Sequence, residues 1–291
     1  MLPLLLSLVC IADTPSVFRI PVTAAESLAV TISGEGVTVV VIPGLAGSAF
    51  AFRRLTPLLV AAGHRVVIVE PLGMGTSGRP ERADYTLEAQ AGRVAAVFDT
   101  LGIEGALVLG HALSGSIALR LALARPDLVR GAVLMEGGGA EQAATRGFRR
   151  AMLFAPWIKM MGGQGLVRKQ LRKSLAQSSA DPGWITDEVV EGYTSGWAHN
   201  LDQTLKGYLK MADAHDRNRL APRLGQLRIP VLLILGAAAH EGGPDAKEVE
   251  LLSKGVASFS VQLVADAGHN IQEERPAELA ILIAAFNVPR P

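Results

Sequence analysis

Apolar residues along this chain follow two rhythms. The runs Val37–Ile42, His64–Val69, Ala106–Leu109, Gly131–Met135, Ile229–Leu235 and Val261–Ala265 are short and dense in valine, isoleucine and leucine. Such runs suit strands of a parallel sheet covered on both faces. Val17–Val22 and Ser27–Ser33 alternate apolar with polar instead, as antiparallel strands do, and Gly34-Glu35-Gly36 marks a turn after them. Between the strands lie helical patterns at Phe52–Ala62, Leu87–Leu101, from the turn at Gly110 to Pro126, and Pro276–Phe286. Strands alternating with helices predict an α/β protein with a mostly parallel sheet.

One long piece breaks the alternation. No strand pattern lies between Met135 and Ile229. The segments Glu141–Met161, Gly165–Gln177, Asp187–Gly196 and Leu201–His215 read as helices. Phe148, Met152, Phe154, Trp157, Ile158 and Met161 are apolar at helical spacing, which predicts packing between insert and body. A helical insert here would cover the carboxyl ends of the strands, where open α/β sheets bind ligands. Phe154 and Trp157 are therefore candidate substrate-binding residues.

Composition narrows the function classes. The 291 residues are 49% hydrophobic and 19% charged, with a formal net charge of +1. That supports a large core and gives no electrostatic case for nucleic acid. The single cysteine, Cys10, excludes a disulfide within the chain and a Cys-rich metal site. Met1–Ala12 is apolar enough for a signal segment yet lacks a basic start, so a cytoplasmic protein and an exported one both remain open. That stretch is too short to span a bilayer, and the later apolar runs are strand-length, so no stable membrane insertion is expected. A homodimer stays possible.

The stretch Leu107–Leu121, LVLGHALSGSIALRL, carries the chemistry. It reads as strand, sharp turn and helix, the setting of a G-x-S-x-G nucleophile elbow. Gly110 and Ser114 occupy the two small-residue positions. Ala112 occupies the nucleophile position and has no oxygen to attack with. The shifted register, with Ser114 as nucleophile between Ala112 and Ser116, would leave Gly110 inside the strand without a purpose.

Four pieces in order, PGLAGS at 43–48, EPLGMGTSGRP at 70–80, LGHALSGSIALRLALARPDLV at 109–129 and AGHNIQEERPAEL at 267–279, make the chain resemble the lid-bearing α/β-hydrolases. The resemblance implies an eight-stranded, mostly parallel sheet flanked by helices, with a helical cap inserted after the sixth strand. Its boundaries would be an arm at 1–26, a core at 27–136 and 223–291, and a cap at 137–222. It implies His269 as the base, and an oxyanion hole made by the amides of Leu45 and Leu113, with Gly44 letting the backbone approach. The usual acid position holds Gly236-Ala237-Ala238-Ala239, with no carboxylate. A branch that includes zearalenone lactonases places the acid after the strand that follows the elbow helix, and that position is Glu136. Asp245 and Glu241 are reserve acids, and Asp266 is too near His269 in sequence. His240 follows a strand end and is a candidate for the site wall; His111 orients or packs at the elbow. His64, His199 and His215 lie in no motif.

Three functions stay open. In the first, the natural enzyme is a serine hydrolase of carboxylic esters or lactones, and alanine in place of serine at position 112 is an engineered substitution that inactivates it. Alternatively the chain is a naturally inactive binder of a small apolar ligand. Or another group does the chemistry: Ser114, or a His269–Glu136 pair moving protons without a cofactor. Aspartate lost from position 112, implying dehalogenase or epoxide-hydrolase ancestry, is a remaining variant. No metal-ligand spacing, Walker loop or dinucleotide fingerprint appears, so no cofactor or metal is expected.

Overall fold

The β-branched run Val37–Ile42 becomes a central strand whose last four residues are buried. A computed structural model describes residues 15–141, 163–198 and 201–286. In it, β1 (Ser16–Pro21), β2 (Ser27–Ser33), β3 (Val37–Ile42), β4 (His64–Glu70), β5 (Ala106–His111), β6 (Val129–Met135), β7 (Val231–Gly236) and β8 (Phe259–Val264) form one sheet. Their order is β1-β2-β4-β3-β5-β6-β7-β8. The alternating strands β1 and β2 pair antiparallel, and β2 joins β4 antiparallel. From β3 to β8 the neighbours run parallel. The pairing of β1 with β2 takes Ser16–Pro21 out of the expected N-terminal arm and into the sheet.

The helices are α1 (Thr56–Ala61), α2 (Leu87–Leu101), α3 (Leu113–Ala124), α4 (Gly163–Gln177), α5 (Asp187–Ala198), α6 (Leu201–Asp213), α7 (Ala246–Gly255), α8 (Ile271–Glu274) and α9 (Pro276–Ala285). Thr86 caps α2 through its hydroxyl, and Gly102 ends it in the left-handed conformation. The helix expected over Phe52–Ala62 splits into a 3-10 turn at Ala49–Phe52 and the short α1. Pro57 accounts for this, since its ring lacks an N–H and starts a fresh helix. Helix α7 was not legible in the apolar pattern. Asp245 caps it by accepting from the Glu248 N–H at 2.8 Å.

Helices α4, α5 and α6 lie between β6 and β7, in the stretch expected to carry the insert. The expected helix at Glu141–Met161, with Phe154 and Trp157, lies outside the described residues apart from Glu141. The N-terminal dozen residues and His199 lie outside them too. Both ends of the insert meet at one buried cation. Arg120, 2% exposed, lies 3.2 Å from carboxylate oxygens of Glu141 and Asp216. Glu141 also accepts from the Leu220 and Ala221 amides, both at 2.9 Å. Removing one partner of such a buried set typically costs about 3–5 kcal/mol. No helix among the described residues is long and apolar enough to cross a membrane.

Candidate active site

Strand β5 runs straight into a turn whose apex is Ala112, with φ 51° and ψ −123°. A residue with a Cβ is strained there by about 1–3 kcal/mol. The turn is held by the Ala112 N–H donating to the Met135 carbonyl (2.7 Å) and the Gly115 N–H donating to the Ala112 carbonyl (3.0 Å). Glycine is required on both sides for close approach. A Cβ on Gly110 would lie 2.4 Å from the Ser114 carbonyl, and one on Gly115 would lie 2.7 Å from that of Gly137. This sharp strand-to-helix turn has the geometry expected of a nucleophile elbow and carries a methyl group at its tip.

Ser114 sits in the first turn of α3, fully buried, and donates to the Pro43 carbonyl at 2.6 Å. The shifted register is thereby overturned, because this hydroxyl is spent on tying α3 to the loop after β3. That loop holds Gly44 and Leu45. A Cβ on Gly44 would lie 3.5 Å from that of Ala112, so this backbone borders the elbow tip. Glu70, at the end of β4, pins the loop from behind. Its carboxylate accepts from the Ala49 amide at 2.8 Å and from the Thr76 amide at 2.6 Å. Leu113 opens α3, where backbone N–H groups have no partner within the helix.

The three strands beyond the elbow deliver the titratable groups. Glu136 follows β6, has φ 58°, and its side chain is fully buried. Its Oε1 accepts from the Gly236 N–H at 2.5 Å. Its Oε2 lies 2.8 Å from Nε2 of His240, which follows β7, and 3.6 Å from Nδ1 of His269, which follows β8. Burial alone would raise the Glu136 carboxyl. The adjoining His269, the Gly236 amide and His240 outweigh it and hold it below the usual carboxylate range. His240 shows the mirror effect. Burial lowers it, but the Ala238 carbonyl at 2.8 Å from Nδ1 and the Glu136 carboxylate raise it overall. His240 was expected to line the ligand cavity. It lines a cavity beside Glu136, with its Nε2 toward the Glu136 carboxylate and its Nδ1 toward the Ala238 carbonyl, and does not border the cavity in front of His269.

His269 is fixed by its backbone amide N–H donating to the Ser178 carbonyl, at 2.8 Å. His111 packs beside it, with ring centroids 4.7 Å apart and Nε2 3.0 Å from the His269 carbonyl. A carbonyl only accepts, so His111 Nε2 carries the proton. Burial, then the neighbouring His269, push His111 down to about 3, so it is neutral. The reserve acids fall away. Asp245 is an exposed helix cap, Asp266 is exposed and pairs with Arg275 at 3.6 Å, and Glu241 is exposed.

A cavity of about 300 Å³ opens in front of His269. Its walls include Gly44, Leu45, His111 and Gln272 from the body, and Leu171, Leu175 and Tyr193 from α4 and α5. Gln272 was missed in the sequence. It is fully buried; its amide Nε2 is directed to the Tyr193 hydroxyl, and its Oε1 has no hydrogen-bond partner among the described residues. A second cavity of about 290 Å³ lies beside Glu136 and His240, lined also by Gly242, Gly243 and Pro244.

Comparison with known proteins agrees with this architecture. A family model described as the alpha/beta hydrolase fold matches residues 37–184. The chain is 29% identical over 219 residues to the 2-hydroxy-6-oxononadienedioate/2-hydroxy-6-oxononatrienedioate hydrolase of Paraburkholderia xenovorans, covering 70% of this chain and 71% of that protein. It is 26% identical over 256 residues to the sn-1-specific diacylglycerol lipase ABHD11 of Mus musculus, covering 85% and 80%. The crystal structure of Cfl2 from Burkholderia cenocepacia superposes with a TM-score of 0.76 at 24% identity, covering 93% of this chain and 95% of that one. With more than half of its residues matched by the family model, the chain belongs to the α/β-hydrolase family.

Proposed function

We propose that this hydrolase-family chain is built for acyl transfer from carboxylic esters or lactones, and that Ala112 withholds turnover. The observation that carries the proposal is the backbone at Ala112. A plain strand-to-helix connection does not need a strained left-handed residue, whereas an elbow that must present a side chain to a base does. Support comes from the Glu136–His269 pair beyond it and from a family relative named as a diacylglycerol lipase.

With serine at 112, its Oγ would attack the ester carbonyl while His269 takes the proton. The carbonyl oxygen becomes an oxyanion stabilised by the Leu45 and Leu113 amides. Glu136 keeps His269 in the tautomer that leaves Nε2 free to accept, and balances the imidazolium that forms. His269 then returns the proton to the leaving alkoxide, and water repeats the sequence on the acyl-enzyme. With alanine at 112 the ligand is held but not acylated.

The test is Ala112→Ser, assayed on aryl esters, alkyl esters and lactones, with mass spectrometry for the acyl-enzyme. Losing a triad nucleophile costs about 10⁶ in turnover, so restoring one should raise it by roughly 10⁴- to 10⁶-fold. Ala112→Ser with His269→Ala should fall back to the level of the parent. A folded Ala112→Ser protein that neither hydrolyses nor acylates on any substrate, while the parent binds an apolar ester tightly, would establish a ligand-binding protein instead.

A further inference from the structure

We propose that Oε2 of Glu136, Nε2 of His240 and Nδ1 of His269 form a binding site for a divalent transition-metal cation of the zinc class, entered from the cavity beside Gly243. The three atoms lie within 4.8 Å of one another. Oε2 is 2.8 Å from His240 Nε2 and 3.6 Å from His269 Nδ1. Ligands of a tetrahedral zinc at 2.0–2.2 Å stand about 3.3–3.6 Å apart. The two oxygen–nitrogen separations need shifts of roughly half an ångström, and the two histidine nitrogens, within 4.8 Å of each other, must close by up to about 1.5 Å, a movement shared between two side chains.

Two of the three donors are already aimed by their own second atoms. Glu136 spends Oε1 on the Gly236 amide, and His240 has Nδ1 on the Ala238 carbonyl. A histidine whose other nitrogen donates to a backbone carbonyl is the usual arrangement of a zinc ligand. The third donor, His269 Nδ1, is buried and has no hydrogen-bond partner among the described residues. A buried nitrogen left that way is costly unless something occupies its lone pair or its proton.

The chain also leaves space at these atoms. A Cβ on Gly243 would lie 2.9 Å from both Glu136 Oε2 and His240 Nε2, and one on Gly242 would lie 3.4 Å from His269 Nδ1. The second cavity, lined by both glycines, reaches Glu136 and His240 and supplies a route in. Two imidazoles and a single carboxylate suit zinc; calcium and magnesium prefer oxygen-rich sets. The ligands come from the ends of three different strands, so no short spacing motif marks them.

The site uses the atoms through which Glu136 would serve His269, so a bound ion blocks that pairing. Metal binding does not depend on a nucleophile, and the site does not rest on the acyl-transfer reading.

The experiment is calorimetric titration of zinc chloride into chelator-treated protein carrying Ala112. One equivalent should bind per chain. Zinc-edge X-ray absorption should show two imidazoles and light atoms at about 2.0–2.1 Å. His240→Ala and Glu136→Gln should each weaken binding on the order of 100-fold. Gly243→Ala, which keeps all three ligands but fills the space, should weaken it too and serves if His240→Ala does not fold. No binding to the parent, or equal affinity in folded His240→Ala, overturns the site. Zinc binding to the parent together with an Ala112→Ser protein that stays inert in chelator, with its metal removed, would sink the acyl-transfer reading alone; hydrolysis in chelator by a protein that binds no zinc would sink the metal site alone.

Discussion

Glu136 lies closer to His240 than to His269, by 2.8 Å against 3.6 Å from the same oxygen. In an acyl-transfer site the carboxylate must serve His269, so His240 competes for it. Removing His240 from the Ala112→Ser protein should let Glu136 close on His269. With chelator present to keep metal out, His240→Ala in that background should shorten the Glu136–His269 separation to hydrogen-bond length in a crystal structure. It should also raise turnover by up to about tenfold, the equivalent of about 1.4 kcal/mol of barrier. A fall in turnover with an unchanged separation would show that His240 supports Glu136 and does not compete for it.

His111 predicts an acid weakness. Its pKa is pushed down to about 3 in the folded protein, while an unfolded histidine titrates near about 6.5. Below pH 6.5 the unfolded chain therefore binds a proton that the folded chain refuses. The sign is destabilisation as pH falls, by about 1.4 kcal/mol per pH unit between roughly 6 and 4. His111→Gln retains a donor for the His269 carbonyl but cannot titrate. Denaturant melts at several pH values, with chelator, should show a shallower loss in this variant. Equal slopes in both proteins would contradict the assignment of His111 as buried and neutral.

The sheet was legible because its central strands are continuous β-branched runs, such as Val37–Ile42, that admit no helical reading. The sharp turn was legible because it needs glycine at Gly110, where a Cβ would lie 2.4 Å from the Ser114 carbonyl, but strand β5 runs through Gly110 to His111, so a glycine inside the strand does not itself exclude the shifted register. Glu136 could be named because a carboxylate between a strand end and three glycines is hard to place in a core. What could not be read was partnership across strand ends. Nothing in Ala238-Ala239-His240 says that His240 turns back toward a residue about a hundred positions earlier. Helix α7 was missed because its apolar face is short, and its cap, Asp245, looked like a spare acid. Gln272 was missed because a glutamine between Ile271 and Glu273 reads as helix surface; only the structure shows it fully buried against the cavity.

That buried glutamine gives the last prediction. Its amide Nε2 is directed to the Tyr193 hydroxyl, its Oε1 has no hydrogen-bond partner among the described residues, and the side chain borders the cavity in front of His269. An unsatisfied buried amide oxygen costs about 1–3 kcal/mol, whereas an apolar side chain of similar shape does not. Gln272→Leu should therefore stabilise the ligand-free protein, raising its melting temperature by a few degrees, since each kcal/mol is worth roughly 2–4 °C in a protein of this size. The same change should remove a polar recognition point for the acyl chain. Two alkyl esters of equal length, one with an amide in its acyl chain, can be titrated into the parent and the variant. The parent should favour the amide-bearing ester, and Gln272→Leu should lose that preference by about tenfold, the equivalent of 1.4 kcal/mol. A melting temperature that falls in Gln272→Leu would mean that the amide is satisfied in solution. An unchanged preference between the two esters would remove Gln272 from ligand recognition.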